Sequence, residues 1–530
     1  MECFKLGLNE VLAFYPEPNA NESQPLSLTC TAPLFLFFGN GKTDRTEAEK
    51  KAWENGLAQI AASRGASICF IDPAGEDWGE EDAQVYINFL ENTSDSSLSD
   101  KNKGFSEGID FFTKKAFRKI TGTLQEIYIY GEGSGADFAA AYFLKKIYME
   151  TPWKDNRNVT ASGCTLTGLS KVSIEDVTDI PVVSLGNSAE INQRLSQKCM
   201  NFRENGAGSY REFFESFTGR FRRQSGVLLP FYCWSDEGID EQMETVSVHT
   251  SQDHKGDYAG TKTHCVHYVI YSDEKWKIEN TKRPLVLFFH GGGNTALFHA
   301  QASEWPLIGK ENGFFTAGID MHFPNCTPSE AIQVIEDIKS KYPIDPGRIY
   351  ATGFSMGGCK TWELFQEYPE VFAGIAPMGA MPGPGIDSYK SIIKNINRDV
   401  AVPVFYVAGE DSPLLEMAFQ NERIVKQLAY IFSVNQCVRS YDVSWENIEQ
   451  WENPIWGING DEYYEVKDTS QFKGSVLKVW LYKSRNGIYY TALASATHQG
   501  HEILSRNSRA AWGFLKHFSR NTAGKICYDL

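Results

Sequence analysis

One serine stands in a context that could make it a nucleophile. Residues 349–358 read IYATGFSMGG, an apolar strand that runs into Gly-x-Ser-x-Gly and then into the helical stretch GCKTWELFQEYPEVF. A sharp strand-to-helix turn of this kind exposes the serine hydroxyl, and its glycines let neighbouring backbone approach closely. The helix N-terminus behind the serine favours developing negative charge. Ser355 is therefore the predicted nucleophile.

A serine nucleophile needs a general base, which an acid orients. In chains with this turn the acid follows the serine, and the base comes last. The segment ATHQGHEIL holds His498 and His501, of which we favour His501. The strand VPVFYVAG is followed by Glu410 and Asp411. We favour Asp411 because its short side chain suits a strand-end loop, and Glu410 remains the alternative.

The oxyanion of an acyl-transfer reaction needs preorganised donors. The segment HGGGN at 290–294 leaves backbone N–H groups free to point at a carbonyl oxygen. We expect one donor from Gly292 and the other from Met356, the residue after the nucleophile. His290 is expected to orient this loop rather than to act as the base, because it precedes the nucleophile in the chain.

An aromatic run, SWENIEQWENPIWG, lies between the predicted acid and base. Its Trp445, Trp451 and Trp456 would cap the pocket and contact an apolar or aromatic substrate, or else pack as part of a long insertion. The strand HCVHYVIY holds His264 and His267, too few ligands for a metal. We therefore predict no metal and no cofactor.

The elements that position these residues occur twice along the chain. PLVLFFHGGGN at 284–294 is echoed by PLFLFFGNGKT at 33–43, and the nucleophile turn is echoed by IYIYGEGSGA at 127–136. Apolar strands alternate with helices such as TPSEAIQVIEDIKSKY, where Thr327 and Glu330 form a capping box. The pattern predicts two α/β domains with mostly parallel sheets, over 1–230 and 240–530, divided near 225–245.

The first domain is predicted to be catalytically inactive. Gly133 takes the place of the nucleophile, and Ser134 comes one residue late. No histidine precedes His249, so a Ser-His-acid triad cannot be built from the first half alone.

The stretch GRIYATGFSMGGCKTWELFQEYPEVFAGIAPMGA, with LFFHGGGN before it and HQGHEI after it, resembles the α/β-hydrolase superfamily. It is most similar to the polyhydroxybutyrate-depolymerase, feruloyl-esterase and predicted-peptidase group of serine esterases. The resemblance covers roughly residues 265–520, and the first half only in degenerate form. It implies a triad of Ser355, His501 and Asp411 that acts through an acyl-enzyme. The acid departs from the family, which often has Asp three residues after the strand-end glycine, where this chain has Ser412.

Composition narrows the expected function. The net charge of −16 argues against nucleic acid and anionic membrane surfaces, and no apolar run is long enough to span a bilayer. The first 30 residues lack the features of a secretory signal, and the eleven cysteines are scattered, so we expect a cytoplasmic protein.

We expect a serine hydrolase that cleaves a carboxylic ester on a small molecule or peptide. Peptide or depsipeptide cleavage by the same groups is the first alternative, thioesters stay open, and a scaffold with a vestigial catalytic domain is another. Association into a homo-oligomer is compatible with a retained but inactive first domain.

Overall fold

The computed structural model describes most of the chain, namely residues 1–14, 33–64, 66–91, 126–150, 156–224, 226–254, 258–279, 281–292, 294–320, 326–380, 396–467 and 474–529. Internal contacts divide the chain into two compact units, Met1–Cys233 and Trp234–Leu530. The division falls inside the segment 225–245. No helix in the described ranges is long and apolar enough to cross a membrane.

The first unit is built on one large sheet. The strands of this unit, of which β6 with β7 and β11 with β12 form separate pairs, are β1 (Glu2–Leu6), β2 (Asn9–Phe14), β3 (Leu34–Phe38), β4 (Ser67–Ile71), β5 (Ile127–Glu132), β6 (Tyr148–Glu150), β7 (Asn156–Asn158), β8 (Gly163–Thr167), β9 (Val182–Leu185), β10 (Phe202–Asn205), β11 (Phe221–Gln224) and β12 (Val227–Pro230). Its helices are α1 (Arg45–Glu54), α2 (Leu57–Arg64), α3 (Val85–Glu91), α4 (Ser134–Tyr142), α5 (Ala189–Lys198) and α6 (Tyr210–Ser216).

The second unit has a larger sheet of the same kind. The strands of this unit, of which β23 and β24 form a separate pair, are β13 (Asp240–His249), β14 (Thr263–Ser272), β15 (Arg283–Phe289), β16 (Phe315–Asp320), β17 (Ile344–Phe354), β18 (Gly374–Met378), β19 (Val404–Gly409), β20 (Glu462–Lys467), β21 (Val476–Lys483), β22 (Tyr489–Ala496), β23 (Phe518–Arg520) and β24 (Ile526–Tyr528). Its helices are α7 (Glu274–Glu279), α8 (Ala296–Ser303), α9 (Trp305–Asn312), α10 (Pro328–Lys341), α11 (Met356–Glu367), α12 (Glu422–Val434) and α13 (Ser505–Leu515).

The two sheets share one strand order. The first runs β1-β2-β4-β3-β5-β8-β9-β10, and the second runs β13-β14-β16-β15-β17-β18-β19-β22 before β21 and β20 extend it. In each sheet the first two pairings are antiparallel, and the next five are parallel. The prediction of two tandem α/β domains is confirmed.

The parallel strands are apolar along their length because both faces are covered. The five residues of β3 and the last six of β15 are buried throughout. On α10 the predicted capping box is present, and Ile335 and Ile338 are fully buried. Parallel strands end at one edge of a sheet, so β15, β17, β19 and β22 deliver their following loops to the same edge.

Candidate active site

Ser355 lies at a strained turn between β17 and α11. Its φ of 54° and ψ of −116° fall in a region that L-residues rarely adopt. Its N–H donates to the carbonyl of Met378 at 2.9 Å, which ties the turn to β18. A side chain at Gly353 would overlap the backbone of Gly357, and one at Gly357 would overlap the carbonyl of Phe289. Close packing therefore requires both glycines and holds a conformation that costs about 1–3 kcal/mol.

His501 faces this serine from the loop after β22. Its Nε2 lies 2.9 Å from the Ser355 Oγ, and its ring packs beside Phe354 with centroids 4.6 Å apart. His498, the alternative base, sits exposed on a turn with φ of 54°. Between them Gln499 is buried, and its side-chain oxygen accepts from the Arg506 guanidinium at 3.2 Å. This anchor turns His501 inward and leaves His498 in solvent.

The loops after β19 and β22 approach each other closely at Gly409. A Cβ at this position would overlap the carbonyl oxygens of Gln499 and Gly500. The backbone N–H of Asp411 then donates to the carbonyl of Gln499 at 3.0 Å. The glycine that ends β19 thereby fixes the position of the histidine loop.

The carboxylate beside His501 belongs to Glu416, and the choice of Asp411 needs correction. The Nδ1 of His501 lies 2.7 Å from Oε1 of Glu416, which is buried. The contact is short but is not aligned as a regular hydrogen bond, as is common in unliganded active sites. Asp411 is exposed at the strand end.

The alternative acid, Glu410, is used elsewhere. Its Oε1 accepts from the Ser495 hydroxyl at 2.7 Å and lies 3.1 Å from the Lys478 ammonium. These partners on β22 and β21 hold its side chain against the sheet edge.

Glu416 reaches the site because its loop is held from two sides. The Tyr406 hydroxyl, on β19, donates to the carbonyl of Glu416 at 2.6 Å. The N–H of Phe419 donates to the carbonyl of Ile455 at 3.2 Å. The preceding residue, Leu415, has φ of 54°, which redirects the chain there. The available signal in the sequence was a glutamate set among apolar residues, SPLLEMAF, where a carboxylate would not be buried without a partner.

The predicted oxyanion loop lies across the start of α11. A Cβ at Gly292 would come within 2.6 Å of the Met356 Sδ, and one at Gly291 within 3.5 Å of the Ser355 Cβ. The buried His290 ring hydrogen-bonds through Nδ1 to the carbonyl of Gly291 at 2.8 Å. Gly292 and Met356 are thus neighbours beside the serine.

Cys359 is a second nucleophile type close to Ser355. Its N–H donates to the Ser355 carbonyl at 3.0 Å, one helical turn further on. Burial, with a contribution from the Glu363 carboxylate, raises the pKa of its thiol to about 11. The thiol is therefore protonated at neutral pH and does not compete with the serine.

The three tryptophans do not form one substrate surface. Trp456 is fully buried in the core, 5.8 Å between ring centroids from Tyr406, so its predicted contact with substrate is wrong. Trp445 and Trp451 are half-buried and meet edge to face at 6.0 Å. The insertion packs on the core and supports the loop that carries Glu416.

The corresponding turn in the first unit has the same backbone conformation, but a different side chain occupies the space beside it. Gly133 has φ of 56° and ψ of −124°, and its N–H donates to the carbonyl of Thr167 at 2.9 Å. The amide oxygen of Asn40, from the loop after β3, accepts from the Ser134 N–H at 3.0 Å. A Cβ at Gly133 would lie 2.5 Å from that oxygen. Asn40 occupies the space that a nucleophile would need.

Comparison with known proteins relates parts of this chain to esterases. No protein-family model matches the chain. Poly(3-hydroxyalkanoate) depolymerase C of Paucimonas lemoignei is 31% identical over 117 residues. The strand order, the serine turn and this similarity point to one superfamily. The chain has an α/β-hydrolase fold and resembles serine esterases.

The matched portions of this α/β-hydrolase and its relatives are short. The depolymerase match covers 19% of this chain and 28% of that protein. The bifunctional acetylxylan esterase/xylanase XynS20E of Neocallimastix patriciarum is 26% identical over 140 residues, covering 25% of this chain and 20% of its own. The solved acetyl xylan esterase of Aspergillus awamori aligns with 52% of this chain and 99% of its own, at 11% identity and a TM-score of 0.33.

Proposed function

We propose that the second unit hydrolyses carboxylic esters through an acyl-enzyme on Ser355. The observation that carries the proposal is the continuous set of contacts from Ser355 Oγ to His501 Nε2 at 2.9 Å, and from His501 Nδ1 to Glu416 Oε1 at 2.7 Å. A hydroxyl, an imidazole and a carboxylate in this order form the constellation that activates a serine.

Each group has a defined part in the reaction. His501 accepts the hydroxyl proton as Ser355 attacks the ester carbonyl, and Glu416 stabilises the imidazolium that forms. The backbone N–H groups of Gly292 and Met356 donate to the oxyanion. His501 then protonates the leaving alcohol, which departs as the carbonyl re-forms. Water attacks the acyl-enzyme by the same route and releases the acid.

The kind of bond cleaved is inferred from the relatives. One relative is named a poly(3-hydroxyalkanoate) depolymerase, and another is named a bifunctional acetylxylan esterase/xylanase, a name that describes ester hydrolysis. We extend this to an ester of a small molecule or peptide as the substrate of the present chain.

The first unit is proposed to be inactive. Its turn lacks a nucleophile at Gly133, and the loop that follows β10, GAGS at 206–209, holds no histidine. The loop after β22 supplies the base in the second unit.

Covalent labelling tests the proposal. The full chain is incubated with a fluorophosphonate and its intact mass is measured, for wild type and for Ser355→Ala. The matched control is Ser134→Ala, which removes the serine beside the first turn. One adduct on wild type and on Ser134→Ala, and none on Ser355→Ala, is expected. An unlabelled wild-type chain, or labelling that survives Ser355→Ala, would refute the proposal.

Substrate type is tested with matched pairs. Ester and amide compounds that share one acyl group are supplied at equal concentration, and product is measured. Esters are expected to be cleaved with the higher kcat/KM. If the amide is cleaved with the higher kcat/KM, the proposed activity becomes that of a peptidase. The labelling of Ser355 would still hold.

A further inference from the structure

Three metal-ligating side chains meet in the second unit, outside the site of Ser355. His254 lies in the turn between β13 and β14, His264 lies near the start of β14, and Glu330 lies in the first turn of α10. One donor atom from each falls within 4.8 Å of the others, and all three residues are buried. They are distant in sequence, which is why the sequence alone predicts no metal.

The carboxylate of Glu330 is fixed in place and faces both histidines. Its two oxygens accept from the N–H groups of Ser251 and Thr327, at 2.9 and 2.8 Å. The same Oε2 lies 3.7 Å from the Nε2 of His264 and 4.0 Å from the Nε2 of His254. A carboxylate has about four lone-pair directions, so two accepted hydrogen bonds leave it able to bind a cation.

The histidines are arranged as ligands rather than as ordinary core residues. The Nδ1 of His264 is paired with the Thr250 hydroxyl at 2.9 Å, and its ring stacks on Tyr258 at 4.3 Å. Metal-binding histidines commonly use their second nitrogen in this way, which fixes the tautomer and the ring direction. Neither ring nitrogen of the buried His254 has a hydrogen-bond partner among the described residues.

We propose that His254, His264 and Glu330 bind one Zn²⁺ ion. Two imidazole nitrogens and one carboxylate oxygen are donors that zinc accepts, and water would complete the tetrahedron. Zinc bonds of about 2.0–2.2 Å bring tetrahedral ligands to about 3.3–3.6 Å from one another, so the donors would draw together from separations of no more than 4.8 Å.

The ion would join the β13–β14 hairpin to the start of α10. The two elements already meet at one pair of hydrogen bonds, where the Gln333 amide accepts from the His249 N–H at 2.7 Å and donates to its carbonyl at 3.1 Å. Zinc would add a second connection between the hairpin and α10, formed by buried side chains. Its role here is structural, and the reaction at Ser355 does not depend on it.

The direct test is metal content and binding on the full chain. The protein is stripped with chelator, supplied with one equivalent of Zn²⁺, separated from free ion and analysed by elemental mass spectrometry. About one zinc per chain is expected for wild type and for His267→Ala, whose histidine lies three residues further along β14. Loss of zinc is expected for His254→Ala and His264→Ala.

A second readout needs no variant. Co²⁺ supplied to the stripped wild-type chain is expected to give the intense visible absorption of a tetrahedral site, and Zn²⁺ is expected to raise its melting temperature. Absence of both, or equal zinc in His254→Ala, would overturn the proposal. Fluorophosphonate labelling of Ser355 should be the same with and without zinc.

Discussion

Glu416 lies 2.7 Å from His501, although Asp411 is five residues closer to the end of β19. The acid is therefore set by the path of its loop and not by nearness to the strand. Replacing Glu416 by Gln keeps the shape but removes the charge that stabilises the imidazolium. We expect Glu416→Gln to lower kcat about 10³–10⁴-fold on an ester substrate. Asp411→Asn is the matched control, and its kcat should stay close to wild type.

The backbone approach at Gly409 gives a second prediction. Gly409→Ala places a methyl group against the carbonyls of Gln499 and Gly500, which should cost about 1–3 kcal/mol of unfolding free energy and displace His501. Gly500→Ala is the control, because open space surrounds its Cβ position. Urea unfolding and kcat report the two effects. Equal stability of the two variants would contradict the packing argument.

At the turn in the first unit, two substitutions separate the effect of backbone strain from the effect of steric overlap with Asn40. Gly133→Ala meets both a positive φ of 56° and the Asn40 amide, whereas Gly41→Ala meets only a positive φ of 87° in open space. Gly133→Ala should therefore be the more destabilising, by about 1–3 kcal/mol. Adding Asn40→Ala to Gly133→Ala should recover part of that loss in urea unfolding. No recovery would mean that Asn40 does not fill this space.

His299 gives the second unit a pH dependence. Burial, with a smaller effect of His290, lowers the pKa of this ring from 6.5 to about 3. Below pH ~6.5 the unfolded chain binds a proton that the folded chain does not, so stability falls as pH drops from about 6.5 towards 3. The slope contributed is up to about 1.4 kcal/mol per pH unit.

Urea unfolding at pH 7 and pH 5 measures this contribution. His299→Leu should show a smaller loss of stability between the two pH values than wild type. His249→Leu, at an exposed histidine, should keep the wild-type difference. An unchanged difference in His299→Leu would show that other groups cause the loss.

The features that depend on local sequence could be predicted without the structure. The glycines around Ser355 are required by a turn that is recognisable in ten residues, and the strand pattern gives both sheets. The choice of His501 over His498 rested on local sequence, and a buried Gln499 explains the placement. The roles of Glu416 and Trp456 were missed because their positions depend on long-range packing, of a loop held by Tyr406 and of the core. Asn40 pairs with a turn more than ninety residues away.

The Asn40 side chain limits how the first unit could acquire catalytic activity. A serine at position 133 would by itself collide with that amide and would find no histidine in the loop after β10. Removal of Asn40 alone would take away a partner of the helix start and add no chemistry. Gain of catalysis would need a nucleophile at position 133, space for it beside Asn40 and a histidine base together. A single substitution therefore does not create a second active centre in the first unit.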